Sequence, residues 1–251
     1  MAKSSKSNDR RARVEQLERE RKAAERKRTL VFVGVIGAVA AIIIGATGWS
    51  LLQDRAREQQ FAEVDLADIG VPEAEAACDP VQELPADQNE HIAAPTPIGY
   101  DAAPPSFGDH RPNWAGFGRK FYEVGDRPEA AELVHNLEHG YNVLWYDETV
   151  ADDADALAAV QGLAAKFSGS EVDPSRAFIA APWTSEDGGT FPDGMNYALT
   201  HWYADPEDTT GSREDEIGYK RYCGELSGEV VANWMAEYPQ SDAPEGGPGF
   251  L

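Results

Sequence analysis

Apolar positions first gather in one unbroken run, residues 30–52, LVFVGVIGAVAAIIIGATGWSLL, which holds no charged side chain. Twenty-three residues of helix reach about 34 Å, enough for a hydrocarbon core of about 30 Å. The run therefore predicts a single transmembrane helix acting as a signal anchor. A cleaved signal peptide is the competing reading, with Ala46-Thr47-Gly48 as its weak cleavage site. It fits less well, because 29 residues precede a run longer than a signal's apolar region.

Beyond the run the pattern changes to short, mixed elements. PEAAELVHNLEH, residues 128–139, predicts a helix capped by Asp126 and closed by Gly140. YNVLWY, AFIAAPW and MNYALTHWY are branched and aromatic and predict strands. ADDADALAAVQGLAAKF predicts an amphipathic helix with acidic residues in its first turn. REDEIGYKRYCGEL and GEVVANWMAEY are expected as two terminal helices. Five prolines between Ala93 and Asn113 predict irregular structure there. The fold class expected is α/β or α+β around a small sheet, preceded by the membrane helix.

Charge divides the chain into regions. Residues 1–29 carry a net charge of +6, and residues 53–251 carry −28. Positive flanks stay cytoplasmic, so the expected topology has residues 1–29 as a basic cytoplasmic segment and the acidic part outside a plasma membrane. Residues 53–77 read as an acidic stalk, 78–238 as an outer globular domain, and 239–251 as a disordered tail. Such acidity excludes a nucleic-acid partner, since phosphate binding needs clustered Lys and Arg. Gly34, Ala38, Ala41, Gly45 and Gly48 share one stripe of the apolar helix, which suits close packing on a membrane-protein partner or a second copy. The expected partners are thus the bilayer and a helix of unknown identity.

The chain has two cysteines, Cys78 and Cys223. An oxidising compartment and an even count predict a disulfide. All five histidines lie beyond the apolar run: His91, His110, His135, His139 and His201. His135 and His139 are four apart on a predicted helix, a spacing that brings two imidazoles to one side and suits zinc or copper. His91 and His110 flank the proline-rich stretch and are expected to complete the ligand set. Glu138 and Met195 are supporting groups or possible extra ligands, Glu138 orienting a ligand and Met195 adding a thioether that would favour copper. His201 has no such context and reads as structural or exposed. HNLEH also matches the H-x-x-E-H pattern of inverted zinc peptidases, with Glu138 as base. No downstream third-ligand motif supports that reading, and the site reads as binding rather than catalytic. A structural histidine cluster in an accessory subunit is the other alternative.

The run LVHNLEHG, Leu133 to Gly140, follows His91-Ile92 and the stretch Pro104-Pro105-Ser106-Phe107-Gly108-Asp109-His110. Together these motifs resemble bacterial membrane proteins of domain-of-unknown-function family 3105, frequent in actinobacteria. The resemblance covers roughly residues 78–205 and implies a single-pass protein with an outer domain. It implies no particular reaction. Phe107 and Asp109 stand where the family pattern has Ser and Pro, and Phe121-Tyr122 where it has a short Gly-x-Tyr step.

Overall fold

The computed structural model describes residue 21, residues 60–207 and residues 215–247. The chain divides into residues 1–55 and 56–251, and apart from residue 21 the described structure belongs to the second unit. The apolar run 30–52 with its Gly34, Ala38, Ala41, Gly45 and Gly48 stripe lies outside the described residues. Among the described residues no helix is long and apolar enough to cross a membrane.

The second unit is built on one five-stranded sheet. In chain order its elements are β1 (Gln82–Pro85), α1 (Ala130–Glu138), β2 (Asn142–Tyr146), α2 (Glu148–Asp152), α3 (Ala154–Ala165), β3 (Phe178–Pro182), β4 (Tyr197–Tyr203), β5 (Ile217–Cys223) and α4 (Gly228–Glu237). The strand order is β1-β5-β4-β2-β3. β2 and β3 run parallel, joined through α2 and α3, while the other pairs are antiparallel. The result is a mixed α/β domain.

Period-two alternation sends side chains to two cores. Leu144, Tyr146, Phe178, Ala180 and Leu199 point to the face covered by α3 and α4. Val143, Trp145, Ile179, Ala181 and Trp202 point to the opposite face, where α1 supplies Leu133, Val134 and Leu137. Trp145 and Trp202 are fully buried. Each large apolar side chain so buried contributes about 1.5–3 kcal/mol. Their polar ends are matched: Trp145 Nε1 donates to Thr200 Oγ1 and Trp202 Nε1 to Glu216 Oε2, both at 2.9 Å.

Several expectations need correction. The helix expected over 213–226 is strand β5. Its buried set is Gly218, Lys220, Tyr222 and Cys223, the first three alternating with half-buried neighbours. Lys220 obscured the alternation. Its ammonium is buried, donates to the Pro104 carbonyl at 3.3 Å, and is pushed down to about 8 by burial. Asp126 does not cap α1, because its carboxylate pairs with Arg119 and accepts from Glu123 N–H at 2.9 Å. The helix expected over 151–167 is two helices, each started by an aspartate: Asp147 for α2 and Asp153 for α3.

The described part of the expected stalk belongs to the fold. Ile69 and Ala76 are buried, and Phe61, Leu66 and Val71 pack on the α3–α4 face. Apolar residues spaced along an acidic segment hid this. The described part of the expected tail, up to residue 247, also packs, with Gln240 and Ala243 buried. Cys78 and Cys223 form a disulfide across a sequence separation of 145. Their Cα atoms are 3.9 Å apart, closer than the usual about 4.4–6.8 Å. The two residues face each other as an antiparallel bridge.

Candidate metal centre

The proline-rich stretch carries no strand, yet it is fixed to α1 at several points. Asn136 grips the backbone of Ala115, accepting from its N–H and donating to its carbonyl, each at 2.9 Å. Arg111 N–H donates to the Ala131 carbonyl at 3.2 Å. Its guanidinium donates to the carbonyls of Ile92 and Thr96 at 3.1 and 2.8 Å and to Glu129 at 2.6 Å. Residue 91 pairs with residue 110 through two backbone bonds, Ile92 N–H to the His110 carbonyl and His110 N–H to the Glu90 carbonyl. These contacts lay His91 and His110 against His135 of α1, with ring centroids 4.4–4.9 Å apart.

Three imidazole nitrogens converge on one carboxylate oxygen. Glu138 Oε2 lies 3.0 Å from His110 Nε2, 3.8 Å from His91 Nε2 and 3.8 Å from His135 Nε2. Ligand bonds of about 2.0–2.1 Å in a tetrahedron place ligand atoms about 3.4 Å apart, so these separations bracket that spacing. Glu138, His110 and His135 are buried, while the His91 side chain is 45 % exposed.

The other ring nitrogens determine what the converging atoms can do. His110 Nδ1 lies 2.8 Å from the Gly108 carbonyl and His135 Nδ1 lies 2.7 Å from the Arg111 carbonyl. A carbonyl only accepts, so each Nδ1 carries its hydrogen. In the neutral rings Nε2 is then a lone pair facing a carboxylate. A proton or a metal cation between them resolves that opposition. His110 Nε2 and Glu138 Oε2 are both buried and lie 3.0 Å apart, with no other hydrogen-bond partner. Backbone carbonyls on the far nitrogens of ligand histidines are a common support of metal sites.

Electrostatics separate the two buried rings. Burial works against a charged His110, but the Glu138 carboxylate and the Gly108 carbonyl outweigh it, and His110 is raised above the usual histidine range. Burial and the neighbouring His110 push His135 down to about 4. Burial opposes the Glu138 charge, and the surrounding histidines still hold it below the usual carboxylate range.

A family model described as a protein of unknown function (DUF3105) matches residues 91–248. The chain belongs to the DUF3105 family. No curated protein and no solved structure matches it. The DUF3105 span opens on His91 and takes in α1 and the C-terminal segment, so it contains every residue of the converging group.

The expected four-histidine set is therefore partly reassembled. His91, His110 and His135 come together with Glu138, which takes the place expected for His139 and joins the group directly. His139 caps the end of α1, stacks on His135 at 4.9 Å, and approaches Glu245 at 3.8 Å. Trp114 lies edge-on to both rings, at 5.1 and 5.0 Å. His135 and His139 also group within 4.8 Å with Glu245, while Glu138 joins the set of His91, His110 and His135. Met195 precedes β4, whereas Trp202 near that strand's other end contacts the His110 ring at 5.9 Å. Seven residues of strand span about 23 Å, which removes Met195 from the centre. His201 is structural: it is buried, with Nε2 2.9 Å from Asp242 Oδ1.

Sequence reasoning missed Arg111, Asn136 and Glu245. Asn136 inside HNLEH carried a usable signal, because a buried amide in a helix needs a partner. Arg111 and Glu245 carried none.

Proposed function

We propose that this protein is a membrane-anchored, extracytoplasmic metal-binding protein without enzymatic activity, holding zinc or copper(II) through His91, His110, His135 and Glu138. The observation that carries the reading is the convergence of three Nε2 atoms on one buried carboxylate oxygen, with the far nitrogens of His110 and His135 bonded to backbone carbonyls. Neutral imidazoles with one carboxylate suit zinc and copper(II), and the distance of Met195 disfavours copper(I). The uncharged run 30–52 supports the anchor and the basic residues before it the orientation. The small-residue stripe supports a membrane-protein partner or a second copy.

The test is metal content of the purified full chain, followed by zinc and copper(II) titration of the parent, His110→Ala and Glu138→Gln. The expected result is one ion per chain in the parent, with affinity lost in both variants. Absence of specific binding by folded parent at neutral pH ends the metal reading. It would leave the second reading, a structural cluster in an accessory subunit of a membrane complex. The 3.0 Å approach of His110 to Glu138 favours that alternative, as an imidazolium–carboxylate pair.

A further inference from the structure

The C-terminal segment is fastened to the end of the histidine helix. Glu245 N–H donates to the Glu138 carbonyl at 2.8 Å, and Gln240 Nε2 donates to the His139 carbonyl at 2.9 Å. Gly247 N–H donates back to Gln240 Oε1 at 3.0 Å. Asp242 anchors the segment on the sheet, through His201 Nε2 at 2.9 Å and Ala204 N–H at 2.7 Å. Held in this way, Glu245 offers a carboxylate oxygen that groups within 4.8 Å with one nitrogen each of His135 and His139. Its side chain is 40 % exposed, against 2 % for Glu138.

We propose that His139 and Glu245 form an outer cation position that shares His135 with the inner centre and passes a divalent ion to it. The proposal rests on the metal-binding reading above. His135 Nδ1 is engaged by the Arg111 carbonyl, so Nε2 alone is available and serves one position at a time. The inner position adds two histidines and a buried carboxylate. The outer one adds a single histidine and a half-exposed carboxylate, and it is therefore a stop on the way in. The ion is of the class that accepts nitrogen and oxygen ligands, as zinc does. The net charge of −28 over residues 53–251 draws cations toward an exposed acidic entrance. The exposed edge of His91 is the rival entrance.

Stopped-flow mixing of the full chain with Co²⁺, followed by ligand-field absorption, tests the relay when paired with equilibrium titration. Glu245→Gln and His139→Ala should each slow association about tenfold, the low end of what local charge adds to on-rates, and shift the dissociation constant by less than about threefold. Release slows in step, as it must for a stop used in both directions. Unchanged association in Glu245→Gln, with the parent binding normally, overturns the outer position and leaves the inner centre intact. Loss of equilibrium affinity in His139→Ala also overturns it, because His139 would then be an inner ligand. A folded parent that does not bind Co²⁺ removes the inner centre as well.

Discussion

His110 and His135 both present Nδ1 to a backbone carbonyl, yet they sit on opposite sides of the usual histidine range. Glu138 and the Gly108 carbonyl raise His110 against its burial, and burial lowers His135 to about 4. Without metal, His110 is the ring of the pair that holds a proton more readily, while His135, at about 4, is already a neutral ligand at neutral pH. Binding an ion must expel the His110 proton. Because His110 is raised above about 6.5, affinity should still climb as pH crosses that value, until the raised folded pKa is passed. For stability without metal the sign is opposite. The His110 contribution is fully present below the unfolded value and is lost as pH rises through the folded one. Calorimetry in buffers of different ionisation enthalpy should find up to one proton released per zinc ion, the release falling as pH rises through the folded His110 value. His135→Ala should bind more weakly and release that proton still. Glu138→Gln leaves only the Gly108 carbonyl and the more distant Glu245 to oppose burial at His110, so proton release should fall. Its affinity should fall by more than the about 10- to 100-fold that a merely supporting group costs. Retained affinity within about tenfold of the parent would show that Glu138 is not a ligand.

At the scale of elements, α1 is the piece on which the centre depends, and its end is set by Gly140. That residue has φ +81°, and a Cβ there would lie 2.2 Å from the Gln240 carbonyl oxygen. Ala at 140 therefore meets both a left-handed backbone and a backbone atom that cannot swing aside. Gly140→Ala should destabilise the domain by about 2–3 kcal/mol, measured by denaturant unfolding. A loss under about 0.5 kcal/mol, the scale of ordinary surface changes, would mean that the C-terminal segment does not press on this turn. The helix was legible because LVHNLEH carries an unbroken helical pattern between Pro128 and Gly140. Strands β2, β3 and β4 were legible for a related reason, being apolar along nearly their whole length. β5 was not, since Lys220 and Arg221 made its alternation look like a charged helix. Spacing placed His135 and His139 near each other, but it could not choose between positions three and four residues on. The loop bearing His91 and His110 makes that choice, and its path is set by Arg111 and Asn136 contacts that no local pattern announces.

Across the whole molecule, the disulfide ties the start of the domain to its last strand. Cysteine count and expected compartment made this pair legible. The contacts that accompany it were not, because they join distant residues of ordinary type. Glu73 Oε1 accepts from Arg221 at 2.8 Å, and its Oε2 accepts from Asn233 at 2.7 Å. Through them the segment once expected as stalk closes one face of the sheet, with Ile69, Ala76 and Cys223 in the α3–α4 core. The histidine helix belongs to the opposite core. Stability and metal binding should therefore separate. Opening a crosslink across 145 residues restores chain entropy worth about 5 kcal/mol at most to the unfolded state. Cys78→Ser and Cys223→Ser should each lower the urea midpoint, and dithiothreitol should do the same to the parent but not to the variants. In urea-free buffer both variants should keep zinc affinity within about threefold, since sites without shared partners act nearly independently. An unchanged midpoint on reduction would show that the bridge adds nothing to the noncovalent closure around Glu73. Loss of zinc binding by a variant still folded by circular dichroism would show that the two faces of the sheet are coupled.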